Sequence, residues 1–406
     1  MTTIAIIGIA GALLIIGFLT DFLFRKTGFP DILILIALGY VLGPVFHIVD
    51  TTTITSAAQL VASLALIVII FNGGIGFDIS KVLSSAPRAI LLVILGVAVS
   101  IAIIAAPAYL LFEWPLLDSI LLGTVVGGTS SAIVIGLVSR AQVPPEISSL
   151  LSLESILNSP IVIVVALILI QAISAGEAGV ELASIGQGIG TQIAVGFGIG
   201  IAAGFFWLWM LTLMKKEEYN DILNLAIVFL LYFAVEYLNG SGVVFALVFG
   251  LILGNGLTVG KFKLEQTANA LYMMRRFTSQ VYFFVKTFFF IYLGLIITLD
   301  QPMLVALGVG VGLLLLLGRN IAVLLSSIGS DELLSHKWLL TTMIARGESA
   351  AVLIQMVIAS KIKTADVYPN LVMSIILTTV IISAVGMLFF GRNNDDMEPQ
   401  PAIENE

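Results

Sequence analysis

The sequence has no cysteine and only two histidines, His47 and His336, in 406 residues. Disulfides, thiolate metal sites and cysteine nucleophiles are therefore excluded. Both histidines fall near the ends of expected helices, which leaves no histidine cluster for a metal. Charge is scarce too: Lys, Arg, Asp and Glu make up 11% of the residues, against about 25% in a typical soluble domain. There is no basic patch for a nucleic acid. No phosphate-binding loop, dinucleotide fingerprint or metalloprotease helix occurs, so an enzyme reading has no supporting constellation and no cofactor is expected.

What is abundant is apolar surface. Hydrophobic residues make up 59% of the chain, more than one soluble core can bury. The excess fits a protein whose outer surface is solvated by a lipid bilayer, and the fold class expected is an all-α membrane protein. A helix needs about 20 apolar residues to cross the hydrocarbon core. Segments of that kind lie near 3–24, 31–48, 56–76, 88–112, 117–139, 147–173, 187–214, 220–238, 241–257, 280–298, 303–325, 338–359 and 367–391, thirteen in all. The mixed stretch 264–279 reads as a surface amphipathic helix or linker. The first run lacks a basic leader and a small-residue cleavage site, so it reads as a span rather than a signal peptide.

The basic residues give an orientation. With the N-terminus outside, the inner ends and loops hold Arg25, Lys26, Lys81, Arg88, Arg140, Lys215, Lys216, Lys261, Lys263, Arg275, Arg276, Arg319, Lys337 and Arg392. The outer loops hold Lys361 and Lys363. This is the asymmetry of the positive-inside rule, and a miscounted span would spoil it. The expectation is a multi-pass plasma-membrane protein, with residues 1–391 as one transmembrane domain and 392–406 as a disordered acidic cytoplasmic tail.

Two spans read as interrupted. The fifth carries Gly127-Gly128-Thr129-Ser130-Ser131, and the twelfth Arg346-Gly347-Glu348-Ser349. Glycine weakens a helix, and freed backbone groups at bilayer depth must find partners or line a cavity. If spans 1–6 and 8–13 are repeats, these two segments correspond, and matched interruptions point to a transporter's binding site. The plain alternative is close packing through small residues.

Ionisable groups inside a membrane are costly and are usually functional or paired. Four fall inside spans: Glu154, Lys286, Arg346 and Glu348. Glu154 and Arg346 suggest a structural ion pair holding span 6 against span 12. Lys286 either snorkels or pairs with an acid. Glu348 lies in an interrupted segment and is the candidate proton carrier. Asp21, Asp118 and Glu236 read as interfacial.

The order and content of the motifs resemble the monovalent cation/proton antiporter superfamily over essentially the whole chain. Phe71-Asn72-Gly73-Gly74 with Asp78 resembles the family's third-span motif, and Leu153 to Pro160 (LESILNSP) its sixth. The runs from Gly240-Ser241-Gly242 to Gly254-Asn255 and from Phe288 to Gly294 are also family-like. Arg346-Gly347 resembles the archaeal-type sodium/proton exchangers. Gly347-Glu348 with Ala351-Val352-Leu353, and Thr129 to Val134, look more like the Kef-like potassium-efflux branch.

The resemblance implies a thirteen-span inverted repeat with two broken helices crossing at the ion site. It also implies a core domain that moves against a dimerisation domain, and a homodimer. Thr129, Ser155, Asn158 and Ser159 fall where members place ion ligands, with Ser130 and Asn72 as further candidates. Glu154 and Arg346 fall where members place a supporting ion pair. The implied function is exchange of sodium or potassium for protons by alternating access.

Two positions depart from the family pattern. Members carry aspartate directly after the asparagine of span 6, where this chain has Ser159, and many carry an acid where it has Asn72. Neither side chain can exchange a proton for a cation. Either proton carriage has moved, to Glu348 first and Glu154 second, or the chain is a non-proton-coupled, channel-like or inactive member of the fold.

Overall fold

The computed structural model describes residues 3–47, 51–76, 79–139, 142–174, 182–213, 220–256, 265–297 and 301–391. Among these the chain is entirely helical apart from turns and short irregular segments. Runs of Leu, Ile, Val, Ala and Phe favour this outcome, because in lipid a helix satisfies its backbone groups within its own segment. The helices are α1 (Thr3–Thr27), α2 (Asp31–Tyr40), α3 (Thr51–Gly76), α4 (Ile79–Leu110), α5 (Leu116–Val125), α6 (Ser131–Val138), α7 (Pro145–Ser174) and α8 (Leu182–Leu213). They continue as α9 (Asn220–Tyr237), α10 (Gly242–Gly254), α11 (Glu265–Ile296), α12 (Pro302–Ser326), α13 (Asp331–Ser335), α14 (Lys337–Thr342), α15 (Glu348–Ser360) and α16 (Tyr368–Phe390).

Among the described residues, six stretches are long and apolar enough to cross a membrane: Pro87–Leu110, Pro145–Ser174, Gly190–Leu213, Leu271–Ile296, Pro302–Ser326 and Ala365–Phe390. Shorter apolar helices cover Asp31–Val45, Ser63–Gly76, Leu116–Val125, Ile222–Tyr237, Gly242–Gly254 and Glu348–Ser360. Phe18, Phe22, Leu111, Leu317 and Phe389 are exposed on the outside, where lipid is the natural solvent for them. The stretch 264–279 differs from expectation: α11 runs unbroken from Glu265 to Ile296, so that segment continues into the next helix.

The packing puts α15 near the centre, against α3, α7 and α16. Helix α4 packs on α5, α7 and α12, and α12 packs on α16. On the other side α10 lies between α3 and α8, and α11 lies on α2 and α3. The α2–α11 crossing brings backbones into contact: a Cβ at Gly39 would stand 2.0 Å from the Ile291 carbonyl, and one at Gly294 would stand 2.2 Å from that of Ile36. Close approach of this kind is what glycine permits between membrane helices. Beyond Tyr40 the chain widens into a π-helical turn, Val41–Val45, containing Pro44, whose missing N–H removes one rung of the ladder.

Backbone between Val125 and Ser131, and between Thr342 and Glu348, is not α-helical. The tail 392–406, Asp78, and the basic residues Arg140, Lys215, Lys216, Lys261, Lys263 and Arg392 lie outside the described residues.

Candidate functional site

The two irregular segments lie against each other. Ser130 N–H donates to the Ala345 carbonyl at 2.7 Å, joining them through backbone. Helix α16 supplies hydroxyls for the groups left over. The Ile344 N–H donates to Ser383 Oγ at 3.1 Å, and the Arg346 N–H to Thr379 Oγ1 at 3.1 Å. Ser383 Oγ in turn donates to the Thr342 carbonyl at 2.8 Å. The polar residues of α16 thus satisfy backbone that has left its helix, as a dry interior demands.

Each interruption exposes the positive N-terminal pole of the helix that follows it. Glu348 is the first residue of α15, and its carboxylate also meets the start of α6. It accepts from Ser130 Oγ in a short contact, from Ser131 Oγ at 3.2 Å and from the Ala132 N–H at 3.4 Å. Ser130 also caps α6, accepting from the Ile133 N–H at 3.4 Å. Arg346 sits on the opposite pole: its guanidinium donates to the Gly127 carbonyl, just past α5, at 2.8 Å and to Ser100 Oγ on α4 at 3.4 Å. The acid therefore answers exposed N–H groups and the base an exposed carbonyl.

A second cluster lies on α7. Glu154 is fully buried and accepts from four donor atoms. Arg319 of α12 gives two of these bonds, Nη1 to Oε1 at 2.9 Å and Nη2 to Oε2 at 3.2 Å. Thr129 Oγ1 donates to Oε1 at 3.3 Å and Asn158 Nδ2 at 3.0 Å. Asn158 Nδ2 also reaches Thr129 Oγ1 at 3.2 Å, and Ser159 Oγ donates to the Thr129 carbonyl at 3.2 Å. The irregular segment after α5 therefore serves both clusters, Thr129 towards Glu154 and Ser130 towards Glu348.

This geometry corrects the expected pairing. The partner of Glu154 is Arg319, and the bonds of the Arg346 guanidinium go to Gly127 and Ser100. Arg319, assigned to an inner end by the sequence, is 4% exposed. A hydropathy reading places a basic residue near the end of a leucine-rich run in the headgroups. The signal available was its position inside 303–325 rather than beyond it.

Lys286 pairs with an acid, Asp31 at the start of α2, at 2.6 Å. Asp118, expected at the interface, is 4% exposed and accepts from Thr364 Oγ1 at 2.7 Å. Ser155 Oγ turns back to the Ser152 carbonyl of its own helix at 3.0 Å. Asn72 lies half-buried on α3, and no hydrogen bond among the described residues ties it to either cluster. Ser349 was not singled out by the sequence, yet its hydroxyl is buried, has no hydrogen-bond partner among the described residues, and lies beside Gly128. The side-chain oxygen of Asn158 is likewise buried and unpartnered.

The family model for the transmembrane sodium/hydrogen exchangers matches residues 10–389. The chain belongs to that family. The family is one of exchangers rather than enzymes. Among curated relatives of this chain, a K(+)/H(+) antiporter NhaP2 of Shewanella sp. (strain ANA-3) is 26% identical over 386 residues, covering 93% of this chain and 65% of its own length. The chain thus spans just under two thirds of the length of the first relatives it matches. A probable Na(+)/H(+) antiporter 2 of Methanocaldococcus jannaschii is 26% identical over 379 residues, covering 89% of this chain and 86% of that protein. The solved structure of the sodium proton antiporter MjNhaP1 from the same organism superposes with a TM-score of 0.77 at 21% identity, covering 96% of this chain and 97% of that one. At that identity the likeness is one of fold.

Proposed function

We propose that this exchanger is a monovalent cation/proton antiporter that works by alternating access, with Glu348 as the group that carries either the proton or the cation's counter-charge. One observation carries the reading. Asp31 and Glu154 are each locked to a base, whereas no salt bridge among the described residues holds Glu348. A cation in a dry site needs an anionic ligand to offset its desolvation, and Glu348 is the free anion at the meeting of the two irregular segments.

The ligands around it follow from unsatisfied atoms. The Asn158 side-chain oxygen and the Ser349 hydroxyl are buried acceptors without hydrogen-bond partners among the described residues, and Ser130 and Ser131 add oxygens on the carboxylate itself. A sodium or potassium ion takes oxygens of this kind. Glu348 is neutral with its proton on and anionic with the cation bound, so the two compete and exchange follows. The Glu154–Arg319 pair and Arg346 stay fixed and hold the segments in place. Thr129 and Ser159 support this frame rather than carry the proton.

The wider architecture belongs to the same proposal. Thirteen spans form an inverted repeat, α5/α6 and α14/α15 are its two broken helices, and the N-terminus lies outside with the C-terminus in the cytoplasm. Residues 1–391 make one transmembrane domain with core and dimerisation parts interleaved, the homodimer forms through the latter, and the membrane is the plasma membrane. The alternation of spans, the bias of basic residues and the fold likeness support it.

A second reading has its own support. Three donors and two helix N-termini already surround Glu348, as they would for a fixed counter-charge in a pathway that moves cations without protons. Liposomes loaded with a pH-sensitive dye separate the two. On the antiport reading, a sodium or potassium pulse releases protons. Cation uptake without proton movement overturns it.

A further inference from the structure

We infer that Glu236 is the capture residue of an entry site, a cavity through which monovalent cations approach the two irregular segments from the face that the proposed orientation puts outside. The inference rests on the reading of the chain as a cation transporter. The cavity, about 200 Å³ in volume, lies between α3, α7, α8, α9 and α15 and the Gly240–Ser241 turn before α10. A space of that size holds several waters at roughly 30 Å³ each, so a cation can enter it hydrated.

Its rim is polar and held in place. Glu236 Oε1 accepts from the N–H of Gly242, the first residue of α10, at 2.8 Å. Ser241 Oγ already caps that helix, accepting from the Val244 N–H at 3.3 Å, so α10 does not need a charge for its cap. Glu236 Oε2 has no hydrogen bond or ion pair among the described residues. Gly242 makes room for the rim: a Cβ there would stand 2.8 Å from Glu236 Oε1 and 2.7 Å from Tyr232 Cε2. Gln192 Nε2 donates to Gln171 Oε1 at 3.2 Å, and the Gln192 carbonyl accepts from the Ser241 N–H at 2.9 Å. These bonds tie α7, α8 and the start of α10 together around the opening.

Charge and depth give the cavity its direction. The five helices that line it carry no lysine, arginine or histidine within their ranges. A cleft with charge of one sign and low-dielectric walls concentrates the opposite ion and speeds its arrival. Along α7 the lining runs from Gln171 at the rim to Val164, five residues past Ser159, and on α15 it reaches Met356, eight residues past Glu348. At 1.5 Å per residue the deep end lies about 8–12 Å along these helices from the candidate site. The side chains of Leu66, Val164 and Met356 offer no oxygen, so the cation passes this end rather than lodging there.

The test reads uptake of radioactive sodium or rubidium into acid-loaded vesicles that hold the full chain. Glu236→Gln keeps the acceptor for the Gly242 N–H and removes only the charge. In right-side-out vesicles at low ionic strength, its half-saturating cation concentration should rise about threefold or more, with the maximal rate unchanged. Choline chloride at about 0.15 M should shrink the difference by screening. In everted vesicles the half-saturating concentration should not move. No change on the outer face, or an equal change on both faces, overturns the capture role. The chain has no cysteine, so Leu167→Cys puts a lone thiol on the cavity wall. A charged, membrane-impermeant methanethiosulfonate added outside should label it and stop the uptake that the unlabelled variant performs. Full labelling with uptake intact, or no labelling from outside, sends the cation by another route and overturns the entry site. Absence of uptake by the wild-type chain would instead sink the transport reading, and because uptake rather than proton release is read, neither result depends on which group carries the proton.

Discussion

Arg319 and Glu154 face each other as a fork, Nη1 on Oε1 and Nη2 on Oε2 at 2.9 and 3.2 Å, from helices 165 residues apart in sequence. The Arg319 Nε–H also donates to the Leu340 carbonyl at 3.1 Å, so one guanidinium ties α7, α12 and α14 together. Removing one member strands a charge in a dry interior. Arg319→Met or Glu154→Gln alone is expected to cost about 3–5 kcal/mol, read as a lower unfolding temperature of the detergent-solubilised protein. The double neutral variant should recover much of that loss. Arg319→Lys should rescue poorly, because an ammonium cannot form the fork.

Among the described residues Glu348 has no such partner, and its removal should act on transport rather than on folding. Glu348→Gln keeps the volume and can still be held by Ser130 and Ser131, but it binds neither proton nor cation as a carboxylate does. The expected outcome is loss of cation-driven proton release in liposomes with the unfolding temperature within a few degrees of wild type. Retained exchange would move the carrier elsewhere.

Gly347 connects the two effects sterically. A Cβ there would stand 2.6 Å from Ser130 Oγ and 2.7 Å from Ser130 Cβ. Gly347→Ala should push Ser130 away from the Glu348 carboxylate, destabilise by about 1–3 kcal/mol and slow exchange. The pair Gly347→Ala with Ser130→Gly restores room but not the hydroxyl, so it should regain stability while exchange stays slow. The two measurements are thermal unfolding and the proton-release rate.

The membrane class and the two irregular segments were legible because both are local. Apolar runs set the helices, and Gly127-Gly128 and Arg346-Gly347 mark where helix gives way. The partners of the charges were not legible. Glu154 and Arg346 were matched because each lay in a motif, whereas Arg319 stands in an otherwise unremarkable leucine run and reaches Glu154 only through the packing of α12 on α4 and α14. Asp31, after Pro30, reads as an ordinary helix start, and its bond to Lys286 depends on a crossing set by Gly39 and Gly294. Ser349 gave no signal beyond its place after Glu348. Pairings across the bundle are a tertiary property, and a single sequence carries no record of them.

Ser159 tests whether the family's usual arrangement can be restored. Its hydroxyl donates to the Thr129 carbonyl, and it is 5% exposed. An ionised aspartate cannot donate there. It would face a carbonyl and stand one turn from Glu154, whose charge Arg319 already answers. Ser159→Asp therefore adds a second unpaired anion beside the unpartnered oxygens of Asn158 and Ser349, a place that only a proton or a cation can satisfy. The expected result is a lower half-saturating cation concentration and a cation-dependent rise in unfolding temperature, by the linkage of binding to stability. In the background of Glu348→Gln, the same substitution should return part of the proton release. If neither the cation dependence nor the double variant changes, the cation binds away from Asn158 and Ser349, and the site must be sought elsewhere in the bundle.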